Sequence, residues 1–245
     1  MNAWFDPLKT ESLKDVFIAR FEELILSGRL AIGQKLPAER ELALQLGVSR
    51  PVVHEGLVDL AFKGLVAMKP RVGTVVNDFR KEGSLAMLTS LVNFQNGRID
   101  PTLLADTLAM RRLVEVETAR LAALRRTAAQ VAEFKALVEE ETTADPAAAR
   151  RLAELDFQFH HLIAMAGGNL IYPLFLNTFK AFYLNLSTRF FGTPGVAADV
   201  FAWHRQLVEA IARRRAKQAV RLMAGLLDHG EARLQQALAT EGERE

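Results

Sequence analysis

The stretch 37-PAERELALQLGVSRPVVHEGL-57 decides the fold of the N-terminal part of this chain. Pro37 through Leu46 reads as a short helix. Pro37 suits a first-turn position, where the missing amide hydrogen costs nothing, and Gly47 suits the left-handed conformation that closes a helix. Only Gly47 and Val48 separate it from Ser49, a good N-cap for a second helix running to about Lys63. Two short helices joined this tightly predict a helix-turn-helix. At about 100° per residue, Val53, Leu57 and Leu60 share one face of the later helix, and Arg50 and His54 lie together a quarter-turn away. Such a helix packs on its scaffold and offers a cationic first turn to a DNA groove.

Working outward, residues 8–27 form an amphipathic helix with Leu13, Val16, Phe17, Phe21, Leu24 and Ile25 at helical spacing, ended by Ser27 and Gly28. Downstream, Gly64 closes the helix-turn-helix. Two short strands, Leu65–Met68 and Thr74–Val76, then flank Pro70-Arg71-Val72-Gly73 as a hairpin, or wing. Phe79 to Ser84 is polar and reads as a linker. From Leu85 every start signal is helical: Asp100-Pro101 and Asp145-Pro146 pair an N-cap with a proline, and Thr127 with Gln130 makes a capping box. Breaks fall at Gly167-Gly168-Asn169 and Gly192-Thr193-Pro194-Gly195. The helices lie roughly at 85–96, 101–125, 128–143, 147–166, 170–190, 198–213 and 216–239.

The fold class is therefore mainly α. A winged helix-turn-helix of three helices plus a small β-hairpin occupies residues 1–78, a linker 79–84, and an all-α bundle of six or seven helices 85–240.

Composition narrows the class of protein. The chain has 245 residues, half of them apolar, about a quarter charged, and none cysteine. That suits a globular protein of the reducing cytoplasm and excludes disulfides and thiolate metal sites. The N-terminus lacks the pattern of a signal peptide, and no apolar run reaches the roughly 20 residues that span a bilayer, so no membrane partner is expected. The net charge of +2 lies wholly in residues 1–81, with twelve Lys/Arg against ten Asp/Glu, while the remainder holds nineteen of each. This is weak support for a nucleic-acid partner, because local clusters decide binding.

Within the winged segment, Arg50 has the donors to pair with guanine O6 and N7 or with a phosphate. Arg40 on the preceding helix is placed for a phosphate or flanking base, and Arg71 at the hairpin tip for the minor groove, with Gly73 allowing a close turn. The other reading of each arginine is an ordinary solvated side chain. Residues Gly33 through Ala43, Leu46 through Leu57, Gly64-Leu65-Val66 and Gly73 through Val76 together resemble the winged-helix signature of the GntR family of regulators. The resemblance implies that Arg40 and Arg50 contact DNA and that the turn before Gly73 is the wing; with Ser49, His54 and Arg71 these residues make up the expected DNA-binding surface. It departs at His54, where the family usually has a second arginine. Histidine is shorter and mostly neutral at pH 7, so a different operator preference is expected.

In the helical half, Leu152, Leu155, Phe159, Leu162 and Ala166 form a core stripe. Asp156 and His160 stack four apart at its edge, and His161 points to the opposite side. An Asp–His pair at this spacing can chelate one divalent cation or simply hydrogen-bond on a helix surface. His204 falls within the apolar stripe of Val200, Leu207, Val208 and Ile211, either as a hydrogen-bonded core residue or as a ligand. Two inward polar positions in one bundle favour a shared cavity.

Met110 through Glu115, Ala119 through Ala123, Asp156 through His160, Gly168-Asn169, His204-Arg205 and Glu209-Ala210-Ile211 resemble the FCD ligand-binding domain of the FadR subfamily. The resemblance implies a divalent metal, zinc or nickel, on Asp156, His160 and His204, and a carboxylate effector facing Arg111 and Asn169. The family's fourth ligand would fall near Leu226. His229, one turn later, substitutes only if that helix is shifted or rotated. Arg111 has a second reading as an i, i+4 salt bridge to Glu115. The aromatic run Phe175, Phe179, Phe182, Tyr183, Phe190 and Phe191 lines a pocket for a bulky apolar acid or serves core and dimer packing.

The function expected is that of a homodimeric transcriptional repressor on a pseudo-palindromic double-stranded operator, released by a small organic acid or acyl effector. Two alternatives belong to other classes. One is an enzyme with a catalytic metal on Asp156, His160 and His204, against which stand the lack of an adjacent general base, phosphate loop or nucleophile motif. The other is a ligand-independent DNA-binding dimer.

Overall fold

The computed structural model describes residues 12–93 and 101–242. The chain divides into two compact units, Met1–Arg98 and Ile99–Glu245.

In the first unit, α1 (Leu13–Leu26) starts at Ser12, whose hydroxyl accepts the Asp15 amide. The expected start near residue 8 lies outside the described residues. Phe17, Ile18, Phe21 and Ile25 face the core, whereas Leu13 and Val16 are exposed, so the buried stripe is narrower than the spacing suggested. Helix α2 (Glu39–Leu46) has Ala38 as its N-cap, and Pro37 stands just before it rather than in its first turn. The reason is the preceding segment. Leu36 donates its amide to the Thr74 carbonyl and stays extended, as a residue before proline prefers. Gly47 closes α2 at φ 66°, and α3 (Arg50–Phe62) follows. Val53, Leu57 and Leu60 are fully buried. Gly56 lets α3 lie against α1, since a Cβ there would sit 2.3 Å from the Phe17 ring.

The wing is β1 (Val66–Lys69) antiparallel to β2 (Gly73–Val76), with Val66 opposite Val76 and Lys69 opposite Gly73. Lys35 bridges to Val75 and broadens it. Beyond the wing come α4 (Phe79–Glu82) and α5 (Met87–Asn93). The sequence suggested a linker at 79–84 and a bundle helix from 85, and the structure corrects both. Met87 is buried in the winged-helix core, with Phe79 packed beside it. Ser90 donates to Glu22 Oε1 at 2.6 Å, and Lys63 pairs with the same carboxylate. These contacts tie α4 and α5 to the first unit.

The second unit is all helical among the described residues: α6 (Pro101–Arg125), α7 (Ala128–Thr143), α8 (Ala149–Ala166), α9 (Ile171–Thr178), α10 (Lys180–Phe191), α11 (Val196–Ala212) and α12 (Ala216–Gly242). Helix α8 is central, packed by α6, α7 and α10, with α12 against α6 and α11. Phe134, Leu152, Leu155, Phe159, Ile163, Leu207, Ile211 and Met223 fill the core. The Thr127–Gln130 capping box forms as expected. Asp100 lies outside the described residues. Asp145 caps a turn through the Ala147 amide instead of starting α8, whose N-cap is Ala148. The single helix expected over 170–190 is two. At the break the Phe179 amide donates to the Leu176 carbonyl, a tighter turn than the helix repeat.

Candidate DNA interface and ligand site

Arg50 opens α3 with 71% of its side chain exposed, and His54 follows one turn later at 55%. Arg40 is exposed on α2. Ser49 has N-cap geometry, with φ −73° and ψ 150°, yet its hydroxyl makes no capping bond and the residue is exposed. Arg71 sits at the wing tip with φ 64°. Pro70 precedes it, and the Val72 amide returns to the Lys69 carbonyl at 3.1 Å. A non-glycine residue in this left-handed position carries strain. Gly73 has φ 105°, and a Cβ there would press on Lys35 Cε at 3.1 Å.

One member of this surface was not anticipated. Glu39, the first residue of α2, accepts from Arg50 Nε at 3.2 Å and lies 2.8 Å from His54 Nδ1. The His54 hydrogen bond is the largest influence on its carboxyl; burial opposes it, and the Arg50 hydrogen bond and the nearby charges tip the balance, so the carboxyl stays below the usual range. The only sequence signal for Glu39 is an acid at the start of a helix, where the dipole favours it.

In the bundle, α6, α8, α10 and α12 enclose a cavity of about 90 Å³. On that measure a single water needs roughly 10–15 Å³, so several fit. One side is apolar, with Leu108, Phe179, Phe182, Leu186, Leu226 and Leu234. The other end is polar, with Arg111, Asp156, His160 and Tyr183. Asp156, His160 and His204 present ligand atoms that all lie within 4.8 Å of one another.

A web of hydrogen bonds orients these side chains. Arg111 donates through Nε to Glu115 Oε1 at 2.6 Å and through Nη2 to Tyr183 at 3.1 Å, and Nη2 lies 3.2 Å from His160 Nε2. A guanidinium can only donate, so His160 Nε2 holds a lone pair and Nδ1 carries the hydrogen. That Nδ1 lies 2.6 Å from Glu115 Oε2. Tyr183 donates to Asp156 Oδ2. His204 stacks on Phe159 at 3.7 Å between ring centroids, meets Glu141 Oε1 through Nδ1 at 2.7 Å, and turns Nε2 to within 3.4 Å of Asp156 Oδ1. Arg111 thus bridges to Glu115 and lines the cavity as well.

Burial sets the charges. It alone would lower Arg111, but Glu115, Tyr183 and Asp156 more than offset it and keep the guanidinium charged. Burial would raise Glu115, but Arg111 and His160 bring it down to about 2. Glu141 is pushed up to about 9 by burial and by Asp156. His204 falls to about 3, mainly from burial.

The donor set has the chemistry and spacing of a three-ligand divalent site, and an ion there would take the His160 Nε2 lone pair from Arg111 Nη2. His204 Nε2 is buried without a hydrogen-bond partner among the described residues, and its Nδ1 is hydrogen-bonded to the buried Glu141, the arrangement that orients metal-binding imidazoles; His160 Nδ1 faces Glu115 Oε2 at 2.6 Å without hydrogen-bond alignment. Leu226 lines the same cavity. His229 does not replace it. Its Nε2 lies 3.8 Å from Asp199 Oδ2, and the residue is absent from both the donor cluster and the cavity wall. Asn169 is also elsewhere, accepting the Ile171 and Tyr172 amides at the start of α9. Phe175 and Phe191 are not in the cavity wall. His161 stacks on Phe157. Glu141 went unnoticed in the sequence because 63 residues separate it from His204.

A winged helix-turn-helix followed by a helical bundle with a partly polar internal cavity defines a DNA-binding regulator with a ligand-binding domain. Comparison with known proteins places it more closely. Residues 14–76 match the model of bacterial regulatory proteins of the gntR family, and residues 106–229 match that of the FCD domain. Over 241 residues, 98% of each chain, the protein is 30% identical to the HTH-type transcriptional regulator Mce2R of Mycobacterium tuberculosis (strain CDC 1551 / Oshkosh). It is 32% identical over 192 residues, 78% of each chain, to the fatty acid metabolism regulator protein of Edwardsiella ictaluri (strain 93-146). A solved structure described as Lar, which controls expression of the Listeria monocytogenes agr system, superposes with a TM-score of 0.61 over 94% of this chain and 99% of that one. At 15% identity this is a likeness of fold.

The chain belongs to the GntR family of transcriptional regulators and carries an FCD domain. The named relatives are regulators, not enzymes. Regulators of this type bind DNA, and FCD domains bind small-molecule effectors. Among the described residues no helix is long and apolar enough to cross a membrane.

Proposed function

We propose that the protein is a homodimeric repressor whose winged domains grip a pseudo-palindromic operator through Arg40, Ser49, Arg50, His54, Arg71 and Gly73. A carboxylate with an apolar body, bound in the bundle, releases it. The observation that carries this reading is the charged, half-buried Arg111 in the wall of a mainly apolar cavity, beside Asp156, His160 and Tyr183. A guanidinium there can pair with a carboxylate while the aromatic and leucine wall takes the tail. The name of the Edwardsiella relative agrees with an acid of that kind. Exposed Met165, Leu170, Ile171 and Leu174 around the α8–α9 corner support self-association.

Asp156, His160 and His204 are the residues that would hold a zinc or nickel ion at the cavity's polar end. Such an ion supplies a second positive centre for the acid. Glu115 and Glu141 keep the two imidazoles in place, and Arg111 and Tyr183 orient Asp156 and the incoming carboxylate. The effector lowers operator affinity only if it binds the two states of the protein unequally.

The test pairs thermal shift with fluorescence anisotropy on duplex DNA from the protein's own promoter. A series of straight-chain carboxylates is titrated with chelator, zinc or nickel. A longer-chain acid should raise the melting temperature and weaken operator binding, and Arg111→Ala should abolish both effects. If no acid moves either readout, the sensor reading fails. Arg50→Ala should weaken operator binding by about 5- to 150-fold at constant salt, and an unchanged affinity would remove α3 from the DNA interface.

A further inference from the structure

The recognition surface contains a hydrogen-bonding constraint that bears on which bases it reads. Glu39 is ionised, and an ionised carboxylate can only accept. The nitrogen of His54 that lies 2.8 Å from Glu39 Oε1 is Nδ1, so Nδ1 carries the hydrogen. In a neutral imidazole the remaining nitrogen, Nε2, is then an acceptor. Among the described residues Nε2 has no protein partner, and the side chain is more than half exposed on the first two turns of α3. The same carboxylate engages Arg50 through Nε, which leaves the terminal nitrogens of that guanidinium for another partner.

We propose that His54 is a specificity-determining residue that reads a base with a major-groove amino group, adenine or cytosine, because Glu39 holds its ring with Nε2 presented as an acceptor. The inference rests on the reading of α3 as the recognition helix. In the major groove, adenine N6 and cytosine N4 donate, whereas guanine O6 and N7 and thymine O4 accept. Arg50 has only donors and suits guanine. The two readers are therefore opposite in sense. Four residues of helix rise about 6 Å, under two base steps of about 3.4 Å, so both fall within one half-site. Glu39 is a positioning residue. It touches no base itself, yet it decides which way each reader's hydrogen bonds point.

The experiment is selection of duplexes from a library with a randomised core, using the full chain as wild type, His54→Arg and Glu39→Ala, at pH 8, above the ordinary imidazole range. Thermal melts confirm that each variant is folded. The wild type should enrich adenine or cytosine over guanine at one half-site position by about three- to tenfold. His54→Arg should convert that same position to guanine. Glu39→Ala should flatten the preference there. The inference is overturned if the wild type already selects guanine or thymine at the position that His54→Arg alters, if His54→Arg alters no position, or if Glu39→Ala leaves the preference intact. Failure of the wild type to enrich any sequence would instead break the DNA-binding reading itself.

Discussion

The protein uses the same three residue types twice, in opposite surroundings. On the winged domain Glu39 engages Arg50 and His54 in the open, and in the bundle Glu115 engages Arg111 and His160. Arg50 is 71% exposed against 24% for Arg111, and Glu39 21% against 1% for Glu115. Water screens the first set and lets it exchange partners with DNA at little cost. The second is desolvated, so its charges are fixed and removal of one strands the others. Surface ionic clusters read a partner, and buried ones hold a site in shape.

The largest expected effect tests that contrast directly. Glu115→Ala leaves the half-buried Arg111 without its nearest counter-charge and should destabilise the fold by ~2–4 kcal/mol in urea denaturation. Glu39→Ala should cost under ~1 kcal/mol. Equal losses would break the comparison.

The next effect is pH dependence, measured with chelator present. Between the ordinary carboxyl and imidazole values, 4.5 and 6.5, the Glu141–His204 pair holds one proton whether folded or unfolded, and stability is flat. Above 6.5 the unfolded pair is bare while folded Glu141 keeps its proton up to about 9, so stability falls. Below 4.5 the unfolded pair takes a second proton that folded His204 refuses down to about 3, and stability falls again. The wild type should thus lose ~1–3 kcal/mol between pH 6.5 and 9, and Glu141→Gln should remove that loss. A variant with the same high-pH slope as wild type would show that Glu141 is not the buried acid responsible.

The smallest effect sharpens the reading of the exposed side. Arg71 holds φ 64° at the wing tip, a conformation glycine adopts without strain. Arg71→Gly should stabilise the winged domain by up to ~1 kcal/mol while weakening operator binding. Stability and affinity moving together would deny Arg71 a functional role.

Much of the first unit could be read from the chain alone. The Gly47 turn, the Val53, Leu57 and Leu60 face and the wing depend on contacts close in sequence. The second site was legible only as fragments. Asp156 and His160 share one helix, and His204 stood out as a polar residue in an apolar stripe, but the glutamates behind the imidazoles and the tyrosine on Asp156 come from other helices. The domain border moved for a similar reason. Arg80, Lys81 and Glu82 looked like a solvated linker, while the burial of Met87 depends on the surface it meets.

By itself, then, the sequence determined the winged helix-turn-helix, the helical bundle and the candidate readers Arg50 and His54, because capping, turn chemistry and apolar periodicity are local. Only the tertiary structure decided that Glu39 orients both readers, that α5 belongs to the winged unit, and that Arg111, Asp156 and His160 share one cavity wall. Those outcomes depend on which distant side chains desolvate one another, and no spacing along the chain encodes that.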